Sequence, residues 1–504
     1  MSSRTAIASV RDLAGARVGV VGLGRTGLAV VDALVTLGAR VHAFDSRPQA
    51  LDSLPAAVAR AQSGDEEGMA RALGEADLRL LIVSPGVPAT GAVLAAARSQ
   101  GVETWSEIEL AWRLQLSSAR PHVPWLAVTG TDGKTTTVGM LSAVLAAAGL
   151  RAPAVGNIGV PVITAVLEGR ADALAVELSS FQLHTTRTLS PLAAACLNLA
   201  PDHLDWHGSL EAYAADKARV YRRAQVAAVY NVADAATVSM VEQADVCQGC
   251  RAVGFTLGVP LLGQVGMVEG VLVDRALHAG RHHQGLELAT VADLAHLAPG
   301  SQPSRLPAHI VADALAASAL ALAAGVEPNA IAAGLRSFSP GSHRMVTVAH
   351  CRGVTWVDDS KATNPHSAQA ALGGLPEGTA VWIAGGDTKG AEFSDLVGAV
   401  APMLRGAVLI GKDQSAMLAA LEHRAPRVPV HRVPDAAPRE VIEAAVAAAA
   451  RMAREGDTVM LAPACASWDQ FDSYAQRGDL FTQAVQRHCA ATGAPSGQGV
   501  DEVA

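Results

Sequence analysis

The sequence predicts an α/β protein of three domains built on mostly parallel sheets. Two observations carry this. A short β-branched run, a glycine or polar turn and a long amphipathic helix recur along most of the 504 residues. Unusual polar groups also gather immediately after the apolar runs, where ligands bind at the carboxyl ends of parallel strands. The length suits three domains of ordinary size. We expect them at 1–107, 108–340 and 341–504.

Taken in order, the first block has strands at VGVVGLG, VHAFD and LLIVSPG. The breaker-rich SSARPHVP leads to a second series, WLAVTG, LAVELSS, AAACLNLAPDH and AAVYN. The helix TVGMLSAVLAAAG is expected after WLAVTG. GQVGMVEGVLVDR reads as a hairpin turning at Glu269-Gly270. The pattern resets near Ser339-Pro340-Gly341 and gives GVTWVDDS, AVWIAGGD, GAVLIG and TVMLAPA. The tail ATGAPSGQGVDEVA is expected to lack a fold.

Composition excludes several classes. No apolar run reaches the ~18 residues of a membrane span, and the first residues lack a secretory pattern, so a cytoplasmic protein without membrane insertion is expected. A net charge of −8 disfavours nucleic acid as a partner. Anionic substrates would need local cations or bound metal. Six cysteines in a chain this long make no disulfide framework. Cys247-x-x-Cys250 and His278-x-x-x-His282 stand too far apart for a zinc finger, and we read them as loop cysteines and surface histidines. The oligomeric state stays open, with a monomer as the expectation.

Gly22-Leu23-Gly24-Arg25-Thr26-Gly27 is a GxGxxG between a strand and a helix, and Asp45 ends the next strand. It suits a diphosphate at a helix N-terminus without identifying the nucleotide, and tight strand–helix packing alone would also explain the glycines. Gly130-Thr131-Asp132-Gly133-Lys134-Thr135-Thr136 is sharper. Backbone N–H groups and Lys134 would cradle phosphates and the Thr135 hydroxyl could ligate Mg²⁺, although the spacing GxxGKT is shorter than the general loop. Glu177 ends a strand, His203 follows another and Lys217 lies in a helix after Tyr213. Each has an ordinary structural reading; their company behind a phosphate loop suggests a metal site. Asp358-Asp359-Ser360-Lys361-Ala362-Thr363-Asn364, Gly385-Gly386-Asp387-Thr388-Lys389-Gly390 and Ala462-Pro463-Ala464-Cys465-Ala466-Ser467-Trp468-Asp469-Gln470-Phe471 suggest a polar binding surface in the third block.

In this order, TGTDGKTTT, ELSSFQL and NLAPDHLDWHGSLEAYAADK resemble the Mur ligases of peptidoglycan synthesis across almost the whole chain. VGLGRTG, SPGVP, DDSKATN, GGDTKG and PACASWDQF resemble the branch that adds D-glutamate to UDP-N-acetylmuramoyl-L-alanine. The resemblance implies a Rossmann-like first domain, a P-loop-type central ATPase domain and a Rossmann-like third domain. It implies ATP, two Mg²⁺ ions and a carbamate on Lys217. Arg25, Thr26, Asp45, Ser46, Arg47, Ser84 and Gly86 would hold the UDP-sugar, and Asn157 and His203 its muramoyl-alanine end. Lys134 would contact ATP; Thr135, Glu177, His203 and Lys217 would serve the metal; His343, Arg344 and Asp359 would complete the ATP site on domain closure. Lys361, Thr363, Lys389, Ser467 and Tyr474 would face D-glutamate, with Lys134, His203, Lys217 and Lys361 in catalytic roles. The chain departs from relatives at Asp132, Ile310 and Asp313, where asparagine is common, and at Trp468 and Tyr474, where Leu and Phe occur. A sibling or folylpolyglutamate-type ligase, a nicotinamide-dependent oxidoreductase and a silent nucleotide-binding regulator are the alternatives.

Overall fold

The computed structural model describes residues 7, 9–88, 90–298, 306–341 and 343–491, without the side chain of Asp205. The described residues form three sheets in two compact units. One unit runs to Ala289 and takes in Ala312–Phe338; the other comprises Thr290–Val311 and the chain from Ser339. All three sheets are mostly parallel, as the alternating pattern predicts.

The first sheet is wholly parallel. Its strands are β1 (Arg17–Val21), β2 (Arg40–Asp45), β3 (Arg60–Ser63), β4 (Leu80–Val83) and β5 (Glu103–Trp105), in the order β3-β2-β1-β4-β5. The chain goes one way from β1 to β2 and the other way to β4. Loops therefore diverge above β1 and open a crevice there.

The second sheet contains β6 (Trp125–Thr129), β7 (Ala154–Gly156), β8 (Leu174–Glu177), β9 (Ala193–Cys196), β10 (Ala227–Asn231), β11 (Arg251–Phe255), β12 (Gln264–Val268), β13 (Val271–Asp274) and β14 (Leu286–Thr290). Its order is β14-β13-β12-β11-β10-β9-β6-β8-β7. Strands β6, β8 and β9 are buried at every position, the state of parallel strands covered on both faces. Because β6 lies between β8 and β9, the loops after all three leave side by side. The hairpin β12–β13 turns at Glu269 and Gly270, both with positive φ (49° and 81°), as a two-residue primed turn requires. The expected helix after β6 starts earlier than its apolar run suggests, spanning Lys134–Ala147. Gly133 takes a left-handed φ of 80° immediately before the helix, so the helix begins at once behind it and Lys134 enters the first turn.

The third sheet holds β15 (Val346–Cys351), β16 (Val354–Asp358), β17 (Ala380–Gly385), β18 (Leu404–Ile410), β19 (Val430–Arg432) and β20 (Thr458–Leu461), ordered β15-β16-β20-β17-β18-β19. Only β15 runs antiparallel to its neighbour, β16. Cys351 in β15 is bonded to Cys489 in the helix Tyr474–Ala491. This is one bridge, and Cys196, Cys247, Cys250 and Cys465 are free. The expected unfolded tail lies outside the described residues except Ala491, which ends that helix.

Within the first unit the helix Glu107–Leu116 fastens the first sheet to the second. Trp112 meets Trp125 edge-on at 5.2 Å. Glu109 is fully buried and accepts from Arg113 Nε, from the N–H groups of Arg187 and Thr188 and from Thr188 Oγ1. Two residues earlier, Glu107 is also buried, but Oε1 accepts from Ile163 N while Oε2 has no partner. Burial pushes the Glu107 carboxyl up to about 7, against the backbone N–H groups of Ile163 and, more weakly, Val162, which favour its charged form. The folded value lies above that of an unfolded glutamate. Stability from this group is therefore complete at low pH and lost as pH rises through about 7. Glu107→Gln cannot ionise and keeps an acceptor for Ile163. Its melting temperature should fall less than that of the parent between about pH 5 and pH 8. Parallel melting curves for the two proteins over that range would remove Glu107 from the account.

Candidate functional site

Three clusters stand at the carboxyl ends of the three sheets. In the second sheet the loop after β6 wraps the start of the Lys134–Ala147 helix. Its shape is enforced from outside. Asn198, after β9, accepts from Thr131 N and Asp132 N at 2.9 Å each and returns a bond to the Asp132 carbonyl. Thr131 Oγ1 accepts from Ala200 N. Lys134 folds back and donates to the carbonyls of Gly130 (2.9 Å) and Thr131 (2.6 Å).

Glu177 ends β8 and is buried. Its carboxylate accepts from Thr135 Oγ1 at 2.7 Å and Asn157 Nδ2 at 2.8 Å. A Cβ on Gly156 would lie 2.3 Å from the Glu177 carbonyl, so glycine is what allows the Asn157 turn to approach. Lys217 comes from the helix Leu210–Ala218 and is almost completely buried. Its Nζ donates to Gly130 O at 2.6 Å and lies over the Tyr213 ring at 4.4 Å. Burial, followed by the nearby Lys134 charge, pulls the Lys217 amine down to about 7. Tyr213 also reaches Thr131 Oγ1, at 3.3 Å. His203 has a left-handed backbone (φ 53°) and packs edge-on to Phe181 at 4.8 Å, within a group including Trp206, His207 and Tyr213.

The second cluster is a cavity of about 540 Å³ above β1, lined by Arg25, Thr26, Asp45, Ser46, Arg47, Ser84 and Gly86 among others. Here the sequence-selected residues of the first domain converge; Asn157 lies with Glu177. A Cβ on Gly27 would lie 1.9 Å from Gly22 O, which fixes the close turn of the GxGxxG. Asp45 accepts from Leu23 N and from Arg47 N and Nε. Burial acts to raise its pKa, but the Arg47 side chain and the two backbone bonds together hold it below the usual carboxylate value. Trp206 Nε1 donates to Val87 O at the rim of this cavity, tying it to the aromatic group around His203.

The third cluster lies in the second unit. His343 Nδ1 donates to the Asp358 carboxylate at 2.7 Å, and that bond raises its pKa. Met345 N donates to Asp359. Lys361 Nζ stands 5.0 Å from the centre of the Tyr474 ring, and Thr363 N bonds to Lys361 O. Asp387 and Ala466 exchange backbone bonds and so join the GGDTKG loop to the PACASWDQF loop. These loops carry exposed Lys389 and buried Ser467. Arg344 Nε is buried without a partner, while Trp468 is exposed.

Comparison with known proteins agrees with this architecture. Residues 16–106 match the Mur ligase MurD-like N-terminal domain, 128–258 the Mur ligase middle domain and 343–465 the Mur ligase glutamate ligase domain. A UDP-N-acetylmuramoylalanine--D-glutamate ligase from Streptomyces coelicolor is 49% identical over 94% of this chain and 98% of its own. The chain belongs to the Mur ligase family. A ligase of the same name from Thermobifida fusca is 48% identical over 94% of this chain and 99% of its own. The fold is shared with MurF from Acinetobacter baumannii, at TM-score 0.54, 17% identity and 93% coverage of both chains. The nicotinamide-dependent alternative finds no support among these relatives.

Mur ligases use ATP, typically with Mg²⁺. The residues here fit that pair. Glu177 and Thr135 are oxygen donors, and Mg²⁺ completes its shell with phosphate oxygens and water. Among the described residues no three His, Cys, Asp or Glu side chains form a ready cage. Asn198 and Tyr213 were named in the sequence reading without a role, although Tyr213 and Lys217 stand four apart on one helix face. Lys134→Ala should lower ATP-driven phosphate release by about 100-fold or more while the melting temperature stays near that of the parent, because a phosphate cation is lost and not a core contact. ADP production at near-parent rates would overturn the assignment of Lys134.

Proposed function

We infer that this Mur ligase joins D-glutamate to UDP-N-acetylmuramoyl-L-alanine in peptidoglycan synthesis, with ATP going to ADP and phosphate. The single observation that carries the reading is high identity to D-glutamate ligases along nearly the full chain. The three clusters supply its chemistry. A carboxylate oxygen of the muramoyl-alanine substrate attacks the γ-phosphorus of ATP, and the bond to the ADP oxygen breaks. The D-glutamate amine then attacks the acyl carbon, phosphate departs and the nitrogen loses a proton. The protein positions the reactants and compensates their charge.

The seven residues around the first-domain cavity are assigned to the UDP-sugar. Ser84 fixes the turn beneath it through Gly22 O, and Arg25 and Arg47 offer cations for the diphosphate. Lys134 and the open N–H groups of its helix face phosphate oxygens. Mg²⁺ supplies further charge neutralisation there when bound. In the second unit, Lys361 and Lys389 are assigned to the D-glutamate carboxylates, with Ser467, Thr363 and Tyr474 shaping the pocket. No helix among the described residues is long and apolar enough to cross a membrane.

Lys217 serves the metal as a carbamate. An ammonium cannot ligate a cation, whereas a neutral amine adds CO₂ to give an anionic carbamate and one proton. An amine with a pKa near 7 has the neutral form available at physiological pH. Lys217→Ala should be nearly inactive, with partial recovery on adding short-chain carboxylates. Full activity without additive would return Lys217 to a packing role.

The amino-acid pocket yields a second expectation. A site with groups for two carboxylates rejects ligands that leave one unpaired. D-Glutamate should support phosphate release with UDP-muramoyl-alanine, while L-alanine and L-lysine should not. Ser467→Ala should raise the KM for D-glutamate about tenfold and leave the KM for ATP within about twofold. A better rate with L-alanine or a diamino acid would move the chain to a sibling ligase.

A further inference from the structure

Arg477 has no role in the assignments above, yet it is the most completely buried charged side chain beside the third cluster, with 0% exposure. It lies in the first turn of the helix Tyr474–Ala491 and points back beneath the loops. Nε donates to Ser360 Oγ at 2.9 Å, and Nη2 donates to Ser360 O at 2.8 Å. Nη1 and Nη2 both reach Cys465 O at 3.3 Å. A Cβ on Gly386 would stand 3.3 Å from Nη1, so the guanidinium also lies directly behind that residue. Ser360 Oγ in turn donates to Tyr474 O, which closes the arrangement onto the helix.

The three residues around this one guanidinium belong to three different loops. Ser360 precedes Lys361 after β16, Gly386 precedes Lys389 after β17, and Cys465 precedes Ser467 after β20. The three strands are neighbours in the order β16-β20-β17. We propose that Arg477 is the positioning residue of the D-glutamate site: one buried guanidinium sets the relative placement of the loops that bear Lys361, Lys389 and Ser467. The proposal rests on the D-glutamate reading given above.

Two features separate this from ordinary core packing. Arginine's partners here are carbonyls and a hydroxyl, and no carboxylate among the described residues lies within ion-pair distance of it. A buried ion pair would have explained the cation by itself. Without one, the cost of burying the charge is offset by hydrogen bonds to these loops and by the more distant carboxylates of Asp469 and Asp358. Planarity also matters. A guanidinium presents donors in a fixed fork, so it can hold Ser360 and Cys465 in one geometry, whereas a lysine ammonium would satisfy them one at a time. Burial lowers Arg477 to about 10, which still leaves it protonated at neutral pH. It therefore adds a positive field behind a pocket that must take a dianionic amino acid.

The test is steady-state kinetics on the full chain, with each substrate varied in turn. In the parent enzyme, D-glutamate-dependent ligation is established first; its absence would overturn the functional reading and, with it, this role for Arg477, whereas failure of the variants alone would overturn only the latter. Given that activity, Arg477→Lys keeps the charge and loses the fork. It should raise the KM for D-glutamate about tenfold while the KM for ATP and for the UDP-sugar stay within about twofold. Arg477→Met loses both and should raise it further. Ser360→Ala removes only the Nε acceptor and provides a variant less exposed to misfolding; the same KM should rise, by a smaller factor. Equal changes in all three KM values, or a lowered melting temperature with unchanged KM for D-glutamate, would overturn the proposal.

Discussion

The ammonium groups of Lys134 and Lys217 both donate to the carbonyl oxygen of Gly130. One oxygen can take two hydrogen bonds, but it carries no charge with which to balance two cations. Lys217 is buried and has Lys134 as its largest neighbouring charge, which favours loss of its proton. The surrounding structure maintains this crowding. Gly130 directly follows β6, the middle strand of the second sheet's chemistry-bearing trio, and the strands on both sides of β6 lead to Glu177 and Asn198. An arrangement that concentrates cations beside a glycine-rich turn is completed by anions. Nucleotide phosphates would resolve it, as would the carbamate proposed for Lys217, so one geometry suits both a phosphate loop and a lysine that would otherwise be a poor choice near a metal.

The same logic reconciles an acidic chain with anionic substrates. A net charge of −8 sets the long-range field, yet reaction depends on charge within a Debye length. Each cluster has its own cations: Arg25 and Arg47 around the first-domain cavity, Lys134 at the phosphate loop, Lys361, Lys389 and Arg477 in the second unit. Acidic groups near them are already engaged. Asp45 is held by Arg47 and two backbone N–H groups, and Glu177 by Thr135 and Asn157. The charge of Glu177 is thereby spread over neutral hydrogen-bond donors, whereas Asp45 is paired with the Arg47 cation itself.

Much of this was legible in the sequence because it depends on local constraints. Glycines at the two nucleotide turns are needed where Gly27 meets Gly22 O and where Gly133 turns left-handed, so they leave a recognisable spacing. Apart from the edge strand β7, which leads to Asn157, the strands carrying chemistry are interior ones, and their apolar runs announced them. Strands at or near sheet edges did not. RAQS in β3 is polar and half exposed, while β5 and β19 have only three residues each, so neither periodicity nor β-branching marks them. The Cys351–Cys489 pairing joins positions 138 apart, and no spacing rule reaches that far. The roles of Asn198 and Arg477 were missed for a related reason: their work is to hold other loops, and which loops lie within reach is decided by strand order.

That distinction bears on why the site is spread over so many loops. A residue that touches substrate must match the chemistry of one ligand, whereas a residue that touches loops must match a fold. Asn198 supports the glycine-rich turn through two N–H groups of the turn itself, and Trp206 ties the rim of the first-domain cavity to the aromatic group around His203. Arg477 does the corresponding work for three loops of the third sheet. Each anchor is held by a rigid element and grips backbone or a short side chain, so the loops it holds have little freedom to vary independently. Precision in positioning is what a reaction through a water-sensitive acyl phosphate demands, since an amine displaced by about 1 Å loses its advantage over water. The buried supports are therefore as much a condition of the chemistry as the cations that face the ligands.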